Sequence, residues 1–279
     1  PNKQYPDFQS SSYDLEYCSW SNVPDDDFVL QDDKPWVIGE FVWTGFDYLG
    51  EPTPYWWPSR SSFFGIIDLA GFPKDVYYMY QSEWTTKDVL HIFPHWNWKK
   101  GEPVDVWAYY NNADEVELYL NGVSLGKRSK QGDDLHVMWR IPFEPGTLKA
   151  VSRKEGKEVL TKEIKTAGLP MSARLTADRS EITADGKDLS FVTVELLDKD
   201  GNPCPLADNM VKFSVSGEGF IAGTDNGDQN NHVSLKKPER NLFFGKCMAI
   251  VQSNGKPGKI ILHVDVDGVP LKNIEITSK

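Results

Sequence analysis

The sequence predicts a mainly β protein: two β-sandwich domains preceded by a region of different character. From Val89 onward, short segments of alternating apolar and polar residues are separated by turn signals, the pattern of an all-β sandwich. No helical stretch interrupts the strands of the second half. Eight of the ten tryptophans precede residue 100 and none follows Trp139, so the amino-terminal third differs chemically from the rest.

Residues 1–34 are polar and rich in Asp, Ser and Pro, and read as an extended loop with one short helix; Asp25-Asp26-Asp27 reads as a solvated loop. Trp36 to Trp43 (WVIGEFVW) has the length and β-branched content of a buried strand. Lys34-Pro35 and Thr44-Gly45 flank it as strand-ending signals. Ser61 to Leu69 reads as a short strand or a turn. Pro73 to Trp84 predicts a helix: proline suits the first turn, where a missing N–H costs nothing, and Val76, Tyr77, Tyr80 and Trp84 recur at helical spacing. One strand, a long loop and one helix do not make a domain, and a barrel needs eight βα units. Residues 1–85 are therefore expected either to pack on the first sandwich through helix 73–84 or to expose apolar surface.

In the first sandwich, Val104 to Tyr109 and Val116 to Leu120 alternate; Asn121-Gly122 then signals a tight hairpin into Val123 to Lys127. His136 to Ile141, Gly146 to Arg153 and Val159 to Ile164 supply further strands. A turn through Gly168-Leu169-Pro170 leads to a second β region, with strands at Phe191 to Leu197, Val211 to Val215, Lys246 to Gln252 and Lys259 to Val266. The two regions share a grammar without a visible sequence repeat.

Composition narrows the function. A hydrophobic content of 39% with 25% charged residues fits a soluble globular chain, and no run approaches the roughly 18 apolar residues of a membrane span. The net charge of -11 disfavours nucleic acid, whose phosphates need a basic partner. Cys18, Cys204 and Cys247 are too few and too widely spaced for a disulfide framework or a zinc site, although a Cys204–Cys247 bridge stays open. His91 and His95 have metal spacing only on a helix, and Pro94 lies between them; Asp225 to Asp228 superficially resembles a calcium loop but reads as a tight turn. No signal peptide is visible in Pro1 to Pro6.

The run Gly39 to Pro52 (GEFVWTGFDYLGEP) carries the chemistry. A tryptophan and an acidic residue beyond a strand end suit a sugar, which offers an apolar face of C–H groups and a rim of hydroxyls. Trp43 is the candidate platform, and Asp47 or Glu40 the candidate acceptor of hydroxyl hydrogen bonds. Trp56-Trp57 reads as a pocket wall or as loop packing.

That run and FFGIIDLAGFPKDVYYMYQSEW at 63–84 resemble the end of the catalytic barrel in family 2 glycoside hydrolases of the β-galactosidase type, as in Bacteroidetes, and both sandwiches resemble the accessory domains that follow it. The resemblance implies a mainly β fold: two immunoglobulin-like β-sandwich domains, at 88–168 and 169–279, the second bacterial Ig/invasin-like, preceded at 1–87 by the terminal fragment of a (β/α)8 barrel. It implies that Trp43 lines a galactose pocket and that Asp47 occupies an acidic position of the same motif. Both catalytic glutamates of the family belong to earlier barrel strands, one of them in an Asn-Glu pair that this sequence lacks. Glu40, inside the last strand, is rejected as the nucleophile. The isolated chain is thus expected to have no catalytic residue and no activity, while the parent is a retaining exo-glycosidase acting on terminal β-linked galactose; a carbohydrate-binding or spacer module is the alternative. No cofactor is implied, and no metal, because Phe64 stands where some relatives carry a metal-binding Asn. The resemblance also implies a carbohydrate partner, neither nucleic acid nor membrane, and a periplasmic, cell-surface or secreted parent, and it leaves a homo-oligomer open.

Overall fold

Pro24 opens the first helix, α1 (Pro24–Asp33), where the fixed φ and absent N–H of proline are no handicap. The computed structural model describes residues 3–279, and Pro1–Thr166 and Ala167–Lys279 form separate compact units. Asp25, Asp26 and Asp27, expected in a solvated loop, instead fill the first turn of α1, where the helix dipole favours negative charge. The one buried side chain of α1 is Phe28, whose ring lies 6.0 Å from both Tyr80 and Trp84 of α2 (Asp75–Trp84). Pro73 falls before the N-cap Lys74 rather than inside the first turn of α2.

The buried strand expected at Trp36 to Trp43 does not form. Gly39 interrupts it at a φ of 133°, no ladder among the described residues pairs with it, and Ile38 and Phe41 are fully exposed. A strand needs a neighbour to take its N–H and C=O groups, so apolar character alone does not make one. Ser61 to Leu69 likewise forms only isolated bridges.

The first sandwich pairs β1 (Leu90–Phe93), β2 (Pro103–Tyr110) and β5 (Val137–Pro142) in the order β1-β2-β5. Its second sheet, β4-β3-β6-β7, contains β3 (Glu115–Leu120), β4 (Val123–Arg128), β6 (Thr147–Lys154) and β7 (Lys157–Lys165). Asn121 and Gly122 both take positive φ, 52° and 83°, as the two-residue hairpin requires. Val104, Val106 and Ala108 point into the core between the sheets. Trp107 and Tyr109, the intervening residues of β2, join a second cluster with Phe28, Met79, Tyr80 and Phe93. The three-stranded sheet is therefore covered on both faces, by the sandwich core and by the amino-terminal segment. The sequence left two outcomes for that segment, and both occur: α2 packs on the sandwich, while residues around 36–57 expose apolar side chains.

In the second unit the strands are β8 (Ser172–Ala177), β9 (Glu181–Ile182), β10 (Leu189–Leu197), β11 (Met210–Gly217), β12 (Gly219–Asp225), β13 (Glu239–Asn241), β14 (Lys246–Ser253), β15 (Gly258–Val266) and β16 (Val269–Ser278). They form sheets β12-β14-β10-β8 and β13-β11-β15-β16-β9. The chain changes sheet at its start, since β8 pairs antiparallel with β10 and β9 parallel with β16. Val192, Val194, Leu196, Val251, Leu262 and Val264 fill the core. Arg240, wholly buried, donates to the carbonyls of Thr224, Val233 and Ser234 at 2.9–3.0 Å and to Asn231 Oδ1 at 3.0 Å, so one guanidinium ties Thr224 of β12 to three residues of the loop 226–237. Cys18, Cys204 and Cys247 are all free and buried; the Cys204–Cys247 bridge is not formed.

Candidate functional site

The segment 44–74 is held by short backbone links rather than by a continuous strand. Ile66 N–H donates to Thr44 O at 3.1 Å, Ile67 N–H to Gly45 O at 3.0 Å, Asp47 N–H to Ile67 O at 2.9 Å and Ser62 N–H to Tyr48 O at 2.8 Å. Gly65 is obligatory here: a Cβ would lie 2.1 Å from Asp47 N and 2.5 Å from both Ile67 O and Phe46 C. These links place Trp43 at one end of an anchored loop.

Trp43 is 76% exposed. Its Nε1 lies 3.4 Å from Tyr48 Oη, and the two rings meet edge to face at 6.1 Å. Tyr48 Oη in turn donates to Glu51 Oε2. Burial, followed by the hydrogen bond to Glu51, pushes the Tyr48 phenol up.

Asp47 sits differently from the sequence expectation. Its residue exposure is 3%, and its Oδ1 accepts from Gly65 N–H at 2.8 Å and from Lys74 Nζ at 2.9 Å, with Oδ2 2.8 Å from the same ammonium. Lys74 also donates to Phe63 O at 3.1 Å. These contacts tie Asp47 to Gly65 and Lys74 and so organise the loop behind Trp43. Asp68, nearby in sequence, is pushed up to about 6 by burial while it accepts Phe72 N–H.

The other sequence candidates do not join this site. Glu40 lies near Asp27 of α1, and burial pushes its carboxyl up. Trp56 and Trp57 are exposed on the loop beyond Glu51, and Phe64 contributes only its carbonyl, to Thr44. His91 pairs with Asp75 at 2.7 Å and stacks on Tyr78, whereas His95 stacks on Trp98. Asp225 Oδ1 accepts the N–H groups of Asn226 and Gly227 at 2.7 and 3.2 Å, closing a turn. Among the described residues no three His, Cys, Asp or Glu side chains gather as metal ligands, and no helix is long and apolar enough to cross a membrane. Of the aromatic residues Trp96, Trp98, Trp107, Tyr109 and Tyr110 of the first sandwich, Trp98 is exposed and the other four are buried. Tyr48, Glu51, Gly65 and Lys74 were missed from sequence. Their signals were present: Tyr48 and Glu51 lie within the quoted motif, and Lys74 directly precedes the helix.

Comparison with known proteins bears on this loop and on both units. Residues 174–275 match the model described as glycoside hydrolase family 2 C-terminal domain 5, and residues 101–160 match a domain of unknown function, DUF4982. Over 272 residues the chain is 56% identical to Beta-galactosidase BoGH2A of Bacteroides ovatus, covering 98% of this chain and 32% of that protein. It is 39% identical over 234 residues to a putative beta-glucuronidase of Formosa agariphila, covering 81% of this chain and 22% of that protein. The crystal structure of a beta-glycosidase from Bacteroides vulgatus superposes with a TM-score of 0.89 at 36% identity, over 97% of this chain and 34% of that one. The chain thus spans about a third or less of the length of these relatives.

Proposed function

Because the chain belongs to glycoside hydrolase family 2, whose C-terminal domain it carries at residues 174–275, we propose that the whole protein hydrolyses terminal β-linked galactose from oligo- or polysaccharides with retention. The observation that carries this reading is the exposed indole of Trp43 on an anchored, acidic loop, a surface suited to the apolar face of a sugar ring. Asp47 serves it indirectly, by fixing Gly65 and Lys74 beneath the loop.

Charge favours a neutral galactoside over a glucuronide. Residues 35–59 contain no Lys or Arg and Lys74 is committed to Asp47; Arg60, whose carbonyl accepts from Gly50 N–H, keeps its guanidinium Nε and Nη2 buried, whereas the exposed Glu51 stands beside Tyr48. A sugar carboxylate would meet like charge there. Retention needs two carboxylates about 5 Å apart; on this reading they are the family's glutamates, outside these 279 residues, and the sandwiches act as supporting bodies. The absence of Trp and Tyr from 170–279 fits that supporting role.

The test is turnover by the full-length protein of nitrophenyl β-galactoside against nitrophenyl β-glucuronide, beside the 279-residue chain alone. The full-length protein is expected to prefer the galactoside and the chain alone to be inactive. Trp43→Ala is expected to raise KM roughly tenfold, the loss of one stacking contact. Preference for the glucuronide, or turnover by the chain alone, would sink this reading.

A further inference from the structure

A stacking platform works only if its plane is fixed, yet Trp43 is mostly in solvent and touches little that would stop its ring from turning. What it does touch is arranged in order. An indole N–H can only donate and an ionised carboxylate can only accept, so the Tyr48 hydroxyl between them accepts from Trp43 Nε1 and donates to Glu51. The chain of donors runs one way.

The middle and the accepting end of this chain rest on anchored backbone. Tyr48 is tied on both its polar backbone groups to a buried pair of serines: its N–H donates to Ser62 Oγ at 3.1 Å, and its carbonyl accepts from Ser62 N–H at 2.8 Å and Ser61 Oγ at 3.1 Å. Beyond Leu49 the chain reverses through Gly50, φ 101°, whose N–H donates to Arg60 O at 2.7 Å. Glu51 then adopts φ 49°, a left-handed conformation that a residue with a side chain takes at a cost. That turn is what carries its carboxylate back to Tyr48, and a strained residue making a specific contact beside an exposed platform marks a built arrangement.

We propose that Tyr48 and Glu51 are positioning residues of the sugar subsite: Glu51 orients the Tyr48 hydroxyl, Tyr48 holds the Trp43 indole in its stacking plane, and the Glu51 charge at the rim disfavours acidic sugars. The proposal rests on the reading of Trp43 as the sugar platform. It assigns specificity to two side chains whose own contact with the ring is not required.

The experiment compares Tyr48→Phe, Glu51→Gln, Trp43→Ala and the Tyr48→Phe/Trp43→Ala double variant in the full-length protein. Steady-state kinetics use nitrophenyl β-galactoside and nitrophenyl β-glucuronide. Tyr48→Phe keeps the ring and removes only the hydroxyl; it is expected to raise KM for the galactoside about three- to tenfold, the worth of one hydrogen bond, with kcat within about twofold and the melting temperature unchanged. Glu51→Gln is expected to narrow the galactoside-to-glucuronide ratio of kcat/KM. The double variant is expected to be no worse than Trp43→Ala alone, because the hydroxyl acts through the indole. If Trp43→Ala raises KM while Tyr48→Phe and Glu51→Gln behave as wild type, or if the Tyr48→Phe effect adds in full to that of Trp43→Ala, the positioning role is overturned and the platform stands. If Trp43→Ala leaves KM unchanged, the platform falls and the positioning role falls with it.

Discussion

The Tyr109 hydroxyl donates to the Asp14 carboxylate across 95 residues of sequence, joining the polar amino-terminal segment to β2. Tyr13 beside it donates to Asp105 O at 2.6 Å and packs against Phe93 and Trp107. Burial pushes the Asp14 carboxyl up to about 7 from 3.8, against the pull of the Tyr109 hydrogen bond, and the neighbouring charges of Asp25 and Asp75 push the same way as burial.

This contact makes stability depend on pH with a defined sign. A carboxyl whose folded value is raised binds its proton more tightly when folded, so its contribution is complete below pH 3.8 and is lost as pH rises through about 7. Wild-type full-length protein is expected to lose melting temperature across that window, and Asp14→Asn, which keeps an acceptor for Tyr109, to show a shallower slope. Equal slopes would refute the assignment.

The Asp47–Lys74 pair predicts an asymmetry. The Asp47 side chain is wholly enclosed, whereas Lys74 is 26% exposed. Lys74→Met leaves a buried carboxylate without a counter-charge and is expected to cost about 3 kcal/mol; Asp47→Asn leaves an ammonium that reaches water and is expected to cost about 1 kcal/mol. Denaturant midpoints of the two variants give the order directly, and the reverse order would contradict the burial argument.

Gly65→Ala is expected to disrupt the loop behind Trp43, because the new methyl group would stand 2.1 Å from Asp47 N. No side-chain rotation relieves a clash with backbone. The expected result is faster proteolytic nicking between residues 44 and 68 and a loss of galactoside turnover by the full-length protein, with the second unit unaffected. Wild-type proteolysis and kinetics in the alanine variant would show that the loop is looser than described.

Arg240 predicts that charge alone is insufficient. Its fork reaches three carbonyls and one side-chain amide oxygen at once, which a lysine ammonium on a flexible stem cannot reproduce. Arg240→Lys is expected to destabilise by about 3 kcal/mol, as buried acceptors are left unmade. Hydrogen exchange over residues 226–237 should rise in the same variant; unchanged exchange would count against the role assigned to Arg240.

The sandwiches were legible because their information is local. Alternation located β2, β3, β10, β11, β14 and β15, and Asn121-Gly122 located the hairpin. What went unread depended on partners distant in sequence. β9 is two residues long and exists through parallel pairing with the carboxyl-terminal strand, and the bulges at Ile221/Gly223 and Val264/Val266 disturb the pairings of β12 and β16. Trp36 to Trp43 erred in the opposite direction, since its composition suits a strand and the described residues supply no ladder for it. At the site, Trp43 was singled out by its residue type together with the family resemblance. The inward turn of Asp47 was not, because it is decided by Lys74, 27 residues away.

The doubly covered β1-β2-β5 sheet has a consequence for recombination between genes. A sandwich whose outer sheet faced water could be cut out and joined to another enzyme as a ready-made part. Here Phe93, Trp107 and Tyr109 would be laid bare by such a cut, so a viable crossover must carry the preceding segment with it. The boundary between the two compact units falls after Thr166, and exchange of whole parts is expected to be tolerated there first.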